Sequence, residues 1–230
     1  MAQHLDLEEQ EQLDALKHFW SRYGTLITSL LVVVLGAFAA WNGYQYWQRS
    51  QGAQAAALYD EVERAAAAGD LARVERSFAD IREKFGSTAY AHQAGLLAAK
   101  VENDKATPEG AQAAKSALTW VAEKAVDPGY QAIARLRLAG LLVDAKAYDE
   151  ALQQLQGTFP KEFEPLVADR RGDVLLLQGK KAEAIAAYTI AYQKFGDQGE
   201  YRSLVTVKLN AQGVDPKTLA PVAPAAGVSQ

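Results

Sequence analysis

Asp169 and Asp173 stand four positions apart in a stretch of helical spacing, so their carboxylates share one face, one turn apart. Two close carboxylates can divide acid and base duties, because like charges drive one pKa up. That work also needs a pocket and a second element that brings substrate to the pair. The sequence supplies neither, and Arg170 and Arg171 beside the pair predict a solvated, charge-offset face. The three histidines, His4, His18 and His92, are scattered. None has a second His, Asp or Glu at zinc-site spacing on a shared face. The chain has no cysteine, which removes disulfides, thiolate nucleophiles and Cys-held metals. Neither a glycine-rich phosphate loop nor a nucleophile elbow occurs. These residue types point away from an enzyme and call for no cofactor or metal. They leave binding as the expected work.

The elements that must position such a surface are helices. Ala132 to Phe159 and Leu166 to Phe195 match each other at a constant offset: Ala139 with Gly172, Leu142 with Leu175, Ala151 with Ala184. Small residues at the first and third of these sites let paired helices approach closely. Leu142, Leu175, Leu155 and Tyr188 then fill the space between. Self-similarity at such a period is the mark of a repeat architecture, and these two segments resemble the tetratricopeptide repeat, a helix–turn–helix of about 34 residues. Earlier pairs are looser: Ala53–Ala68 with Leu71–Phe85, and Ala89–Glu102 with Glu109–Ala125. Gly95 and Ala114 lie farther apart than the equivalent small residues of the clear repeats, which leaves the repeat count over 87–125 open. A ninth helix, near Glu200–Leu209, is expected to cap the end, as stacked repeats require. No alternation of period two suggests a strand.

Gly24 to Trp41 is a different kind of stretch. No charge occurs between Arg22 and Arg49, and the run from Tyr23 to Tyr44 would extend about 32 Å at ~1.5 Å per residue. That matches a hydrocarbon core of about 30 Å. Aromatic residues flank it, and Trp20, Tyr23, Trp41, Tyr44 and Trp47 are expected interface anchors. Ala37-Phe38-Ala39 has the small-x-small form of a cleavage site. A secretory signal, however, opens with a positive region, and here Asp6, Glu8, Glu9, Glu11 and Asp14 outnumber Lys17 and Arg22. The reading is an uncleaved single span. Lys17 and Arg22 before it against Arg49 after it lean towards an inside N-terminus by one charge.

The resulting layout has four parts: an amphipathic segment 1–22, a span 23–47, a helical domain 48–211 and a Pro/Ala-rich tail 212–230 expected to be flexible. The fold class is all-α: one N-terminal transmembrane helix, then a tetratricopeptide-repeat-like α-solenoid of about four helix pairs with a C-terminal capping helix. In segment 1–22, Leu13, Leu16 and Trp20 share a helical face that could dock on a protein or lie at the membrane interface. A net charge of −4 gives no general attraction to nucleic acid.

In tetratricopeptide repeats the first helix of each pair lines the concave groove. The resemblance therefore implies a partner groove containing Ile133, Leu136, Gly140, Val143, Leu166, Asp169, Asp173 and Leu176. No Lys, Arg or Asn stands at these positions, which disfavours a clamp for a terminal carboxylate and suits an apolar or basic segment. The same leucines would serve as packing between repeats, and both readings stand at this level.

The run Glu8-Glu9-Gln10, Leu13, Leu16-Lys17, Phe19-Trp20, Tyr23-Gly24 just before the span is similar to the opening of the YfgM-like proteins, ancillary subunits of the bacterial Sec translocon. The likeness covers the chain except its tail. It implies an inner-membrane, single-pass protein with a cytoplasmic N-terminus and a periplasmic repeat domain. Its implied partners are Sec translocon subunits, a membrane-anchored periplasmic foldase of the prolyl-isomerase type and exported client proteins. The implied role is assistance to newly exported proteins as they leave the channel and fold. An envelope-stress regulatory scaffold, signalling through the N-terminal segment, is the alternative.

Overall fold

The computed structural model describes residues 7–195 and 200–219. His4 and the other residues of 1–6, residues 196–199, and the tail from 220 onward lie outside the described residues. Within the described residues there are nine α-helices, one 3₁₀ turn and no strand. They fall into two compact units divided between Gln51 and Gly52.

The first helix, α1, runs from Leu7 to Ala67 without a break. The amphipathic, apolar and alanine-rich stretches that differ in composition are thus one helix. No proline occurs in it, and Gly24, Gly36, Gly43 and Gly52 are single, separated glycines, each worth only about 1 kcal/mol against the helix. The expected division at residue 47 coincides with no helix end.

The remaining helices are α2 (Leu71–Phe85), α3 (Ala89–Asn103), α4 (Pro108–Lys124), α5 (Pro128–Asp144), α6 (Tyr148–Gln154), α7 (Glu164–Leu177), α8 (Lys181–Lys194) and α9 (Glu200–Ala211). Their starts are locally encoded. The carboxylate of Asp70 accepts from Arg73 N, Thr88 from Ala91 N, and Thr107 from Gly110 N. Pro108 and Pro128 occupy first-turn positions, where a missing N–H costs nothing. Within the pairs, the turns α1–α2, α5–α6 and α7–α8 share one geometry. Gly69, Lys146 and Gly179 all have positive φ, of 69°, 59° and 77°. In each turn the next N–H bonds five residues back: Asp70 to Ala65 O (3.0 Å), Ala147 to Leu142 O (2.8 Å) and Lys180 to Leu175 O (2.9 Å). The α3–α4 turn departs from this, with positive φ at Ala106 and bonds of Lys105 to Glu102 O and Ala106 to Asn103 O. This turn is one residue longer than the others, and the rest of the irregular spacing over 87–125 comes from the small residues Gly95 and Ala114 lying farther from the turn along α3 and α4.

The repeat positions are all interior. Ala139, Ala151 and Ala184 have no exposed surface, and Leu142, Leu175, Leu155 and Tyr188 are buried. Each such large side chain gives roughly 1.5–3 kcal/mol on burial. Gly172 is required by contact: a Cβ there would overlap the Tyr188 ring. Gly95 plays the same part in α3, where a Cβ would stand 2.6 Å from Val121 Cγ2. Among the described residues the core has two clusters, one running from α1 to α7 and one built by α7, α8 and α9.

The tail is not free from its first residue. Asp215 caps a 3₁₀ turn at Pro216–Thr218, Pro216 is buried, and Val214 and Leu219 pack on the end cluster. Three apolar side chains, with a local cap, suffice to hold residues 212–219 that composition assigned to a flexible tail.

Candidate protein-interaction surfaces

α5 and α7 carry the eight groove residues expected from the repeat pattern. Ile133, Leu136 and Val143 are half-buried and rest on the larger core cluster, and Leu176 rests on the end cluster. Leu166 is half-buried. Gly140 differs, because a Cβ there would meet nothing within 4 Å. It lines an open cavity of about 240 Å³ between α3 and α5, with Leu118, Arg137, Leu141 and Asp144 on the walls. Lys100 adds a second cation at its edge and bonds Asp104 at 2.7 Å.

Asp169 and Asp173 do not form a solvated face. Lys208 of α9 places its ammonium 2.8 Å from both oxygens of Asp169 and 2.7 and 3.0 Å from those of Asp173. Tyr188 donates to Asp173 Oδ1 at 2.8 Å, and Lys208 lies 5.4 Å from the Tyr188 ring centre. Asp169 is only 7% exposed. Burial pushes its carboxyl above the usual range, against the pull of Lys208. The Tyr188 phenol is pushed up by burial and then by its bond to Asp173. Arg170 reaches Asp173 only at 3.9 Å, and Arg171 contributes instead to another groove. The acidic pair therefore anchors the last helix and is not available to a ligand as two free carboxylates.

That other groove follows from the length of α6. Arg135 donates to the carbonyl oxygens of Gln154 (2.9 Å) and Gln156, and it stacks over the Phe159 ring at 4.2 Å. It closes α6 after seven residues, and Gly157 (φ 89°) turns the chain away. The side of α8 that a longer α6 would cover is left open as a cavity of about 590 Å³. Leu155, Phe159, Val167, Leu175, Ala187 and Ile190 line it. The ion pair Glu164–Lys194 closes one edge.

The first unit carries its own surface. Leu13, Leu16 and Trp20 are all exposed on one face of α1 and form an apolar surface there. Trp20 lies over Gly24, whose Cβ would stand 3.2 Å from the indole. Tyr23, Trp41, Tyr44 and Trp47 are exposed as well. Gln12–Ala67 is the one stretch among the described residues long and apolar enough to cross a membrane. Among the described residues, no group of three His, Asp or Glu side chains is placed to hold a metal ion.

The family model of the tetratricopeptide repeat-like domain matches residues 17–214. The chain belongs to the tetratricopeptide repeat-like family. Within it, the chain is similar to a Neisseria gonorrhoeae protein named ancillary SecYEG translocon subunit, 32% identical over 92% of this chain and 99% of the relative. Proteins of the same name from Haemophilus influenzae and Escherichia coli are 27% and 26% identical, over 89% and 78% of this chain and 97% and 85% of theirs. The chain is thus a member of the ancillary SecYEG translocon subunit group of tetratricopeptide repeat-like proteins. No solved structure is significantly similar to it. The match extends back to residue 17, so the apolar part of α1 belongs to the family pattern along with the solenoid.

Proposed function

We propose that this protein is a membrane-tethered interaction module at the Sec translocon. The observation that carries the reading is the 32% identity, along nearly the whole of both chains, to a protein named ancillary SecYEG translocon subunit. The apolar stretch of α1 supplies the tether, with Trp20, Tyr23, Trp41, Tyr44 and Trp47 as interface anchors. Residues 1–22 lie in the cytoplasm and the solenoid in the periplasm. There it assists exit and folding of exported proteins together with a membrane-anchored foldase of the prolyl-isomerase type. Tethering raises the local concentration of a weak binder without new contacts.

The partner groove lies on the first helices of the pairs, at Ile133, Leu136, Gly140, Val143, Leu166 and Leu176. Gly140 supports it, since a mid-helix glycine costs about 1 kcal/mol relative to alanine and, among the described residues, nothing would come within 4 Å of a Cβ there. Close approach by a partner would account for it. Asp169 and Asp173 belong to the surrounding wall through Lys208.

Purification from mild detergent tests the module. The intact chain should bring down Sec subunits, and failure to recover any would overturn the reading. Gly140→Arg should keep the translocon and lose the foldase or client. An exported reporter fused after the last residue tests orientation: activity only in the cytoplasm would overturn it.

A second reading is favoured by the exposed face Leu13–Leu16–Trp20: a regulatory scaffold that signals envelope stress through the N-terminal segment. Leu16→Glu with Trp20→Glu separates the two. A changed stress response with export partners still bound supports the second.

A further inference from the structure

The second helices of the repeat pairs touch one another in chain order. The Phe78 ring of α2 meets the Trp120 ring of α4 edge-on at 5.7 Å, and Lys115 of α4 pairs with Glu150 of α6 at 3.1 Å. The series then breaks. α6 has 7 residues, against 15, 17 and 14 in α2, α4 and α8. About two helical turns are thus missing beside α8, and the cavity of about 590 Å³ lies there.

The wall that α8 presents suits a helical neighbour. Glu183, Ala186, Ala187, Ile190 and Lys194 line the cavity at steps of three and four residues, which is one face of a helix. The two alanines keep the surface low enough for a second backbone to come close. Ile190 stands beside them, 46% exposed. Charge narrows the occupant further. Arg171 and Glu183 both line the cavity, and among the described residues neither has an ion-pair partner. Gly172 faces the Tyr188 ring, so Arg171 lies about five residues along α8 from Glu183, or ~7 Å. An acid and a base four residues apart on a helix span ~6 Å.

We propose that this slot receives an amphipathic helix of a partner protein, which takes the place of the missing turns of α6. Helix-in-groove docking reads as apolar anchors at i, i+3, i+4 and i+7. The docked helix lays such a face over Ile190 and the two alanines. It carries a carboxylate for Arg171 and, one turn away, a cation for Glu183. The Glu164–Lys194 pair is already neutral and closes the edge. The slot is separate from the groove at Gly140, and the proposal does not depend on the translocon reading.

A phage library of peptides of 14 residues, the length of α8, tests it. The library is selected on the full-length chain in detergent and counter-selected on the Ile190→Glu chain. Enriched peptides should show apolar residues at i, i+3, i+4 and i+7, with an acid four residues from a base. The best of them, made synthetically, should bind about tenfold more weakly to Ile190→Glu, as expected for loss of an anchor. Arg171→Glu should weaken it about threefold, and replacing the peptide's acid by lysine should restore the loss. Gly140→Arg should change nothing. Ile190 and Arg171 are both exposed, so Tm should hold in each variant. Failure to enrich any peptide over the Ile190→Glu chain would overturn the proposal. Period-two or proline-interrupted winners would also overturn it, because they mean an extended occupant, and so would loss of binding in Gly140→Arg. The chain has no cysteine, so Ile190→Cys reports the remaining occupants through its reaction with a maleimide. Protection lifted by dilution means a second copy, and protection lifted by removing residues 220–230 means the tail; either result overturns the partner helix.

Discussion

The Lys208 ammonium stands 2.8 Å from both carboxylate oxygens of Asp169, joining residues 39 apart in sequence across α9 and α7. This contact fixes the end of the solenoid. Lys208→Met would leave Asp169 buried without its counter-charge. Breaking a buried pair costs about 3–5 kcal/mol. Lys208 is 23% exposed, so about 2–3 kcal/mol is expected after screening. Stacked repeats respond locally. Hydrogen exchange should rise in α8 and α9 and stay unchanged in α3 to α5; a uniform rise would contradict the anchor.

Gly172 and Tyr188 form a close approach between paired helices, where a Cβ on residue 172 would stand 2.4 Å from the ring. Gly172→Ala should lower stability by about 1–3 kcal/mol, the usual cost of overpacking. Tyr188→Leu should recover part of that in the Gly172→Ala background, even though it removes the bond to Asp173. Urea denaturation of the four chains gives the coupling directly. Additive losses would mean that the two residues do not meet.

Lys146 holds the left-handed turn that Gly69 and Gly179 hold in the neighbouring pairs. A non-glycine residue there costs about 1 kcal/mol or more. Lys146→Gly should therefore raise stability by about 0.5–1 kcal/mol, offset in part by the greater freedom of the unfolded chain. A fall in Tm would show that the lysine side chain makes a compensating contact.

His92 gives the domain a pH dependence of known sign. It is 1% exposed, bonds Gly86 O at 3.0 Å through Nε2, and lies against the rings of Trp120 and Tyr130. Burial lowers its pKa, only partly opposed by Gly86 and Asp127. The unfolded chain takes up a proton near pH 6.5 while the native chain resists it. The unfolded state then binds more protons, and stability falls as pH drops through that value. Tm should be lower at pH 5.5 than at 7.5, and His92→Gln should flatten the difference while lowering both values.

Much of the fold is local and could be read from composition and spacing. The positions Ala139/Gly172, Leu142/Leu175 and Ala151/Ala184 predicted paired helices, and all are interior. Asp127 and Thr107 cap the helices that follow them, and Pro128 sits in a first turn, so these starts are also local. The candidate surfaces were less legible. The early stop of α6 had a signal in Gly157 and Pro160, but the cavity it opens depends on Arg135 crossing from α5 to reach its end. Ile190 was visible as an apolar residue; that it lines this cavity depends on how α8 docks.

The amino-acid sequence by itself determined the helices, the offset of the repeats and the uncharged stretch from Tyr23 to Gln48, because each depends on residues within a few turns of one another. Only the tertiary structure decided what Asp169 and Asp173 do. Their helical spacing is a local fact, and it predicted a face in water. Their burial under Lys208 comes from α9 packing Val205 and Leu209 against the end cluster. That placement is set by the summed apolar contacts of three helices, and no local pattern around residue 169 carries it.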